Sequence, residues 1–352
     1  MNDCSESIPP IPRRRAREPG GRTGCLWGLT MGLVSPIASA FATVLLFVAV
    51  FAIIGARKGG TDAGVDDVPS LRAVWSYGSG DVSVVRIPVR GVLVSSEEDA
   101  GWFSEEGPVE KALRQIRAAT KDPEIKGLIL EIDSPGGSIT ASDLLHRAVM
   151  DFKAEQAGRQ VIAIMGDLAA SGGYYVAVAA DYIIAHPTTL TGSIGVMISK
   201  LNIKGLGDEY GVRMETVKSG ENKNLLSPFE DLTESQRAML QEMVDEMYER
   251  FVELIVNGRP GLTVEEVKEI ADGCVLSASK ALDCRLIDEI GYWDDAVARL
   301  CGMLDVENVK VLRYDHELGL SSLLKSFARP GLDLRIDGHQ VQSRLMYLWQ
   351  VR

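Results

Sequence analysis

The chain has 352 residues, 46% of them hydrophobic, which is enough for one large globular domain with further segments. Its formal net charge of −12 argues against nucleic acid as a partner, because phosphate binding needs clustered Lys and Arg side chains. The five cysteines have no CxxC or zinc-ligand spacing and the four histidines form no metal motif, so no metal or cofactor is predicted. Cys274, Cys284 and Cys301 are an odd number and cannot form a complete disulfide framework by themselves.

The amino-terminal region predicts a membrane anchor. Residues 1–22 are polar and Pro-rich with five arginines, a composition typical of a disordered basic tail. Residues 23–56 carry no charge, and their most apolar part, 37–54, is long enough to cross about 30 Å of hydrocarbon. The arginines place the tail in the cytoplasm, so this single transmembrane helix in the cell membrane would put the rest of the chain outside the cytoplasm. A signal peptide cleaved near residues 39–42 is the alternative, which is disfavoured because the most apolar residues follow that site.

Residues 57–81 are predicted to be a linker, and an α/β domain is predicted to follow at 82–330. Residues 82–94 alternate apolar and polar side chains as a half-buried strand pair would. Helix and strand patterns then alternate, which is typical of an α/β fold with a largely parallel sheet. The predicted elements are a helix at 108–119, a strand at 127–133, a helix at 141–157 and a strand at 161–165. A capping-box pattern at Thr233 opens a long helix to about Val256, whose methionine-rich stripe predicts core or subunit interface.

The strand at 127–133 ends in Ser134-Pro135-Gly136-Gly137. Two glycines after a strand can turn a backbone N–H outward, as an oxyanion hole requires. An ordinary Pro-Gly turn explains the same residues.

The strand at 161–165 leads into a second small-residue motif, Ala169-Ala170-Ser171-Gly172-Gly173, which opens a helix. A serine at a strand-to-helix passage has an exposed hydroxyl, a free N–H after it and a helix N-terminus that favours negative charge. Close packing of the glycines at a helix start is the alternative. Two such motifs in one chain favour a nucleophile site over chance.

Five stretches, in this order, resemble the signal peptide peptidase A (SppA) family of membrane-bound serine peptidases. They are SPGG, MGDLAASGGYY, TLTGSIGV, ETVKSGENKNLLSPFEDLT and ADGCVLSASKALDCRLIDEIGYWDD. The resemblance runs from about Val82 to the carboxyl terminus. It implies a Ser-Lys dyad on a fold similar to that of Clp protease and crotonase, a closed oligomeric ring, and peptide substrates such as remnant signal peptides in the membrane.

The resemblance also assigns roles to residues of this chain. Ser171 matches the nucleophile and Lys223 the general base, although the family more often has Asp where this chain has Asn224. The backbone N–H groups of Gly137 and Gly172 would hold the oxyanion. Ser193 matches the serine that orients the lysine amine. A lysine acts as a base only when neutral, so we expect its amine to be buried against an apolar wall.

Three alternatives remain open at this point. His186 would be the base if the site were a Ser-His-Asp triad, but the matching family position is not a histidine. A crotonase-like enzyme acting on acyl-CoA shares the oxyanion chemistry but needs neither a nucleophilic serine nor an anchor. A non-catalytic membrane scaffold could retain the fold, although it has no use for Ser171, Lys223 and Ser193 together. Lys204 and Lys218 are less favoured as bases.

Residues 331–352 form a predicted carboxyl-terminal tail that contains an apolar run, Leu345-Met346-Tyr347-Leu348-Trp349. Chain ends are usually polar and loose, so an apolar run at this place is expected to be docked. Two places are open: the protein's own core, or a groove that binds short apolar peptides.

Overall fold

The computed structural model describes residues 71–95 and 107–316, and the backbone of 346–348. The predicted basic tail at 1–22, the predicted transmembrane segment at 23–56, and most of the predicted linker and carboxyl-terminal tail lie outside these residues. None of the helices within the described ranges is both long enough and apolar enough to cross a membrane.

Eleven strands lie within the described residues, and three of them correspond to the strand regions predicted at 82–94, 127–133 and 161–165. Their bounds are β1 Leu71–Tyr77, β2 Val82–Arg90, β3 Ile125–Ser134, β4 Gly136–Ser138, β5 Gln160–Ala170, β6 Tyr182–Ala185, β7 Leu190–Gly192, β8 Val275–Ser277, β9 Glu289–Ile290, β10 Val309–His316 and β11 Met346–Leu348.

The helices alternate with these strands over the first half of the domain and dominate its second half. Their bounds are α1 Pro108–Lys121, α2 Ile139–Glu155, α3 Gly172–Ala177, α4 Lys204–Tyr210, α5 Glu234–Gly258, α6 Val264–Ile270, α7 Ala278–Asp283 and α8 Trp293–Met303. A short 3₁₀ helix spans Glu221–Asn224. Thr233 caps α5 and forms the predicted capping box with Gln236.

The main sheet has the order β1-β10-β2-β3-β5-β6-β9, with β7 beside β5 and β8 beside β7. Its central strands β10, β2, β3, β5, β6 and β9 run parallel, and β1 closes one edge antiparallel to β10. The fold is therefore α/β with a largely parallel sheet, as predicted. Parallel strands place their carboxyl ends at the same edge, where α/β proteins carry their sites.

Two details differ from the sequence-based prediction. The sheet begins at Leu71, inside the stretch predicted as the linker 57–81, because β1 pairs with β10 from the far end of the domain. That pairing joins residues more than 230 positions apart and leaves no local pattern. Residues 82–94 form one strand, not a pair: β2 ends at Arg90, and Leu93 makes only an isolated bridge to Gly137.

Both faces of the sheet are covered, and successive side chains of one strand point into the cores on opposite faces. One face packs against α1, α2, α3 and part of α5, and the other packs mainly against α8. Alternate residues show this division: Val85 and Leu128 on the first face, Val84, Ile129 and Ile162 on the second. This packing fixes the strand ends that carry the site.

Helix α5 buries only part of its apolar stripe within the subunit. Phe251, Val252 and Ile255, near its carboxyl end, are fully buried, whereas Met243 is 41% exposed. The amino-terminal half of the helix therefore presents apolar side chains outward.

Candidate active site

Strand β5 brings the serine motif to the edge of the sheet by changing partners. Ile162–Met165 pair with β6, whereas Leu168–Ala170 pair with β7. At the start of the second segment the Leu168 N–H donates to the Asp133 carboxylate at 3.2 Å. The predicted break at Gly166-Asp167 is thus a change of partner within one strand, and it carries Ser171 away from β6 to the start of α3.

Ser171 has a backbone conformation that few non-glycine residues adopt, with φ 53° and ψ −116°. Its N–H donates to the Gly192 carbonyl at 2.8 Å, and its own carbonyl accepts the Tyr175 N–H at 2.9 Å. The residue is only 1% exposed, in contrast to the exposed hydroxyl expected from the sequence, and its hydroxyl does not cap α3. These contacts define a sharp turn that directs the side chain away from the helix, as a nucleophile requires.

The turn after β3 is built on glycine. Gly136 has φ 94°, and its N–H donates to the Ser134 hydroxyl at 3.1 Å. Leu93 runs alongside: its N–H donates to the Gly136 carbonyl at 2.9 Å and its carbonyl accepts the Ser138 N–H at 2.7 Å. A Cβ atom on Gly137 would lie 2.2 Å from the Leu93 oxygen, so only glycine fits.

The two predicted oxyanion donors belong to touching backbones. A Cβ atom on Gly172 would lie 3.1 Å from the Gly137 nitrogen and 2.4 Å from the Ser142 hydroxyl oxygen. The structure therefore brings Gly137 and Gly172 together beside Ser171, as two N–H donors to one oxyanion must be.

A cleft of about 480 Å³ opens in front of Ser171 and is also lined by Ser193. Ser193 has φ 48°, and its N–H donates to the Cys274 carbonyl at 2.7 Å, so β7 and the segment before β8 hold it in place. The other lining residues are mostly apolar, with two carboxylates among them: Ile194, Gly195, Val196, Met197, Val244, Asp245, Tyr248, Ala271, Asp272 and Gly273.

Lys223 lies apart from this cleft. It sits on the 3₁₀ helix Glu221–Asn224, its side chain is exposed, and it does not line the cleft. The surrounding arm, residues 211–223, is exposed at every position. The expectation of a buried amine is therefore not met within this single chain: the structure assembles Ser171, Ser193, Gly137 and Gly172, and leaves the lysine outside.

His186 occupies a different place from the serine. Its Nδ1 lies 2.9 Å from the Gly291 carbonyl oxygen, and its ring packs against Tyr292. It lines a separate cavity of about 360 Å³ together with Arg86, Arg90, Glu131, Asp133 and Trp293, and Ser171 does not line that cavity. A Ser-His-Asp triad with His186 as its base does not fit this arrangement.

No group of three or more His, Cys, Asp or Glu side chains within the described ranges could hold a metal ion. Cys274, Cys284 and Cys301 are free thiols, exposed, half-buried and buried in that order.

Comparison with known proteins shows the family of the chain. Residues 153–307 match Peptidase family S49. A protein of Enterococcus faecium, provisionally named a signal peptide peptidase SppA, is 33% identical to this chain over 240 residues. The matched region covers 68% of this chain and 69% of the length of that protein. The chain belongs to peptidase family S49. Serine protease SPPA, a chloroplastic protein of Arabidopsis thaliana, is 35% identical over 54% of this chain and 28% of its own length.

As a member of family S49 the chain is a serine peptidase, which confirms the predicted class of enzyme and sets aside the acyl-CoA alternative. Among solved structures, a mutant of ClpP1 from Listeria monocytogenes has a TM-score of 0.39 at 15% identity, over 60% of this chain and 93% of that one.

The described part of the chain also contains a polar link near the serine motif that the sequence did not reveal. The buried Tyr175 donates its hydroxyl to the Asp143 carboxylate at 2.7 Å, and Arg250 donates to the same oxygen at 2.5 Å. Burial raises the pKa of Asp143, but the hydrogen bonds from Arg250 and Tyr175 outweigh it and hold that pKa below its usual range. One carboxylate thus joins α2, α3 and the cleft helix α5. The signal in the sequence was the pair Tyr174-Tyr175 after the motif, because a buried tyrosine hydroxyl needs a hydrogen-bond partner.

A histidine and a second tyrosine complete the support of α3 in this S49 domain. His146 packs edge-on against Tyr175, with ring centroids 5.6 Å apart, and burial lowers its pKa to about 4. Tyr174 is fully buried and donates its hydroxyl to the Leu286 carbonyl at 2.8 Å. Burial raises the pKa of Tyr174 above its ordinary value. The helix that begins after Ser171 is therefore fixed from both sides.

Proposed function

We propose that this S49 peptidase is a membrane-anchored endopeptidase that cleaves peptides with a Ser171–Lys223 dyad. The observation that carries the proposal is the position of Ser171, on a strained turn in a cleft with several apolar side chains, with Ser193 in the same cleft and Gly137 and Gly172 beside it. Apolar walls suit apolar side chains of a peptide and exclude water from the acyl-enzyme.

The chemistry is acyl transfer. Neutral Lys223 takes the proton of the Ser171 hydroxyl as its oxygen attacks the peptide carbonyl, and Ser193 orients the amine. The N–H groups of Gly137 and Gly172 hold the oxyanion, and loss of one such donor typically costs about 10²–10³ in rate. The lysine then protonates the leaving amine. Water, deprotonated by the same lysine, attacks the acyl-enzyme and releases the acid with Ser171 regenerated.

Lys223 is proposed to reach a serine when subunits assemble into a ring. The arm at 211–223 and the segment 201–210 before it expose apolar side chains that a lone subunit does not cover: Leu201, Leu206, Tyr210, Val212, Met214 and Val217. The outward half of α5, with Met243, adds to this surface. Exposed apolar patches of this kind mark interfaces, and covering this one would desolvate the amine that must become neutral.

The dyad is tested by Ser171→Ala and Lys223→Ala, each expected to abolish cleavage of a short apolar peptide while leaving the melting temperature within a few degrees of wild type. His186→Ala serves as the matched control and is expected to retain most activity. A Ser171→Ala or Lys223→Ala protein that turns over peptide at the wild-type rate contradicts the dyad.

Co-expression of the two inactive chains then identifies which chain supplies the lysine. If a neighbour supplies it, random mixing pairs an intact serine with an intact lysine in about a quarter of the sites, and activity returns to that extent. If the same chain supplies it, every mixed site stays inactive. A strictly monomeric yet fully active ectodomain, measured by light scattering at micromolar concentration, contradicts the ring.

The proposed substrates are remnant signal peptides left in the membrane, in keeping with the name of the Enterococcus relative. The proposed topology keeps residues 1–22 in the cytoplasm, 23–56 across the cell membrane and the peptidase domain outside the cytoplasm. Protease added outside spheroplasts should therefore digest residues beyond about 60. Protection of that part, with digestion of the first 20 residues instead, would invert the topology.

A further inference from the structure

The cavity that contains His186 opens at the carboxyl ends of the parallel strands, on the face of the sheet that α8 covers. Its volume is about 360 Å³, within the range of sites that hold small ligands. Ligands of α/β proteins bind outside these strand ends. The polar and aromatic side chains of its wall come from β2, β3, the residue after β6, and α8: Arg86, Arg90, Glu131, Asp133, His186 and Trp293. The serine cleft is lined instead by α5, which packs on the other face.

Strand β2 gives this cavity a basic side. Arg86 is held in the wall, because it pairs with one Glu131 oxygen at 2.5 Å and its guanidinium lies 4.9 Å from the centre of the Trp293 ring. Arg90 pairs with the other Glu131 oxygen at 3.3 Å, and its side chain is 64% exposed. A guanidinium has five N–H donors in a planar fork that matches a carboxylate. Arg90 can therefore bind a ligand carboxylate while Arg86 keeps Glu131 in place.

The opposite side of the cavity accepts hydrogen bonds. Asp133 lies opposite Arg90 in the ladder between β2 and β3, and its carboxylate accepts the Leu168 N–H at 3.2 Å. The Nδ1 atom of His186 lies 2.9 Å from the Gly291 carbonyl oxygen. A carbonyl oxygen only accepts, so Nδ1 carries the hydrogen and Nε2 of the neutral ring is an acceptor. Asp133 and His186 thus suit an ammonium group.

Charges of both signs favour a ligand that carries both. A ligand with a single charge would be repelled by Arg90 or by Asp133, whereas a zwitterion is attracted by the two together. Neighbouring strands lie about 4.8 Å apart, and an extended dipeptide is about 7 Å long, so one short peptide can reach both side chains. Trp293 and Ile164 add an apolar wall for its side chains. Hydrolysis of a peptide bond leaves one new carboxylate and one new ammonium group, so a peptidase makes such ligands itself.

We propose that this cavity binds short peptides with both ends free, with Arg90 at the carboxylate and Asp133 at the ammonium group, and that the bound peptide lowers turnover. Asp133 transmits the effect, because it also holds Leu168, three residues before Ser171 on the strand that leads to it. An ammonium group on the same carboxylate weakens that bond and loosens the turn. The effect on turnover rests on the proposed role of Ser171, whereas the binding does not.

Calorimetric titration of the full-length Ser171→Ala protein with the dipeptide alanyl-leucine measures binding without turnover. We expect a Kd of about 1 mM or tighter. Amidation of the dipeptide carboxylate, or acetylation of its amine, should each weaken binding about tenfold or more, because each removes a charge-assisted pair. These two derivatives test the pairs in a chain whose cavity is unaltered.

Substitutions then assign each pair to a residue. Arg90→Gln should weaken binding of alanyl-leucine by the same factor and make amidation indifferent, and Asp133→Asn should do the same for acetylation. Arg313→Gln is the matched control, since it removes an exposed arginine of β10 that does not line the cavity, and should leave Kd unchanged. No binding up to about 10 mM, or binding that Arg90→Gln and Asp133→Asn leave unchanged, overturns the inference.

Turnover by the wild type tests the coupling. Alanyl-leucine should lower kcat for a longer apolar peptide and leave KM unchanged. A raised KM with unchanged kcat would place the dipeptide in the Ser171 cleft and overturn the coupling, and so would binding without any effect on turnover. Binding with the expected dependence on Arg90 and Asp133, in a wild-type chain that cleaves no peptide, overturns the proposed function and leaves the cavity as a peptide site.

Discussion

The substitution Gly137→Ala separates the structural role of the oxyanion turn from its chemical one. The new Cβ atom would lie 2.2 Å from the Leu93 carbonyl oxygen and 2.6 Å from its carbonyl carbon, where ordinary contacts begin at 3.4 Å. The obstacle is backbone, so it cannot rotate aside. Leu93 or β4 must move by more than 1 Å (3.4 − 2.2 = 1.2 Å), which separates the two N–H···O bonds of 2.9 and 2.7 Å that join them.

The magnitude follows from these two losses. Overpacking of this kind costs about 1–3 kcal/mol, and each lost hydrogen bond costs about 1 kcal/mol. A total near 4 kcal/mol corresponds to a fall of about 10 °C in melting temperature for a domain of this size. Activity should fall as well, by about 10²–10³ in kcat, because the displaced N–H would no longer meet the proposed oxyanion.

Thermal unfolding by circular dichroism and peptide turnover well below the melting temperature measure the two effects separately. Gly302→Ala is the matched control: it lies in α8, nothing stands within 4 Å of its added Cβ, and alanine should stabilise the helix slightly. A Gly137→Ala protein with wild-type melting and wild-type kcat would refute both the packing against Leu93 and the oxyanion assignment.

Three further predictions concern side chains around the site. His186→Ala should retain most peptide turnover, since His186 lies in a separate cavity; complete loss would revive the triad. Asp143→Asn should lower kcat and reduce stability by about 2 kcal/mol, measured by urea unfolding, because charge-assisted bonds from Arg250 and Tyr175 are weakened; an unchanged kcat would show that the link is purely structural. Burial lowers the pKa of His146 from 6.5 to about 4, so between these values the unfolded chain binds a proton that the folded chain does not. Stability relative to His146→Gln should therefore fall by about 3 kcal/mol from pH 7 to pH 4, and parallel pH profiles would contradict this.

Local patterns were sufficient to predict most of the central fold. The short strand patterns of β3 and β5, the helix patterns of α1 and α2, and the capping box at Thr233 are all local in sequence, and each of these predicted elements is present. The two glycine motifs were also correctly placed at strand-to-helix passages. Their glycines are needed by contacts with backbone, as at Gly137 and Gly172, and such a need is visible in sequence as small residues in a row.

The missed features depend on residues far apart in sequence. Strand β1 is stabilised by β10, and nothing within Leu71–Tyr77 itself indicates that partner. The bond from Tyr175 to Asp143 spans 32 positions and joins two helices whose relative position only the packed core determines. The sequence motif identified Lys223 but did not predict where its side chain lies. Its arm, residues 211–223, is exposed, so few contacts within one chain determine its position.

The backbone conformation of Ser171 helps to distinguish a catalytic role of this serine from a purely structural one. Backbone angles of 53° and −116° suit glycine, and holding a serine there destabilises the fold by about 1–3 kcal/mol. A chain kept only as a scaffold would be more stable with glycine at that position, so the serine at position 171 costs stability. This trade-off is the one expected if Ser171 is the proposed nucleophile, and a Ser171→Gly chain should then be inactive yet melt at a higher temperature than the wild type.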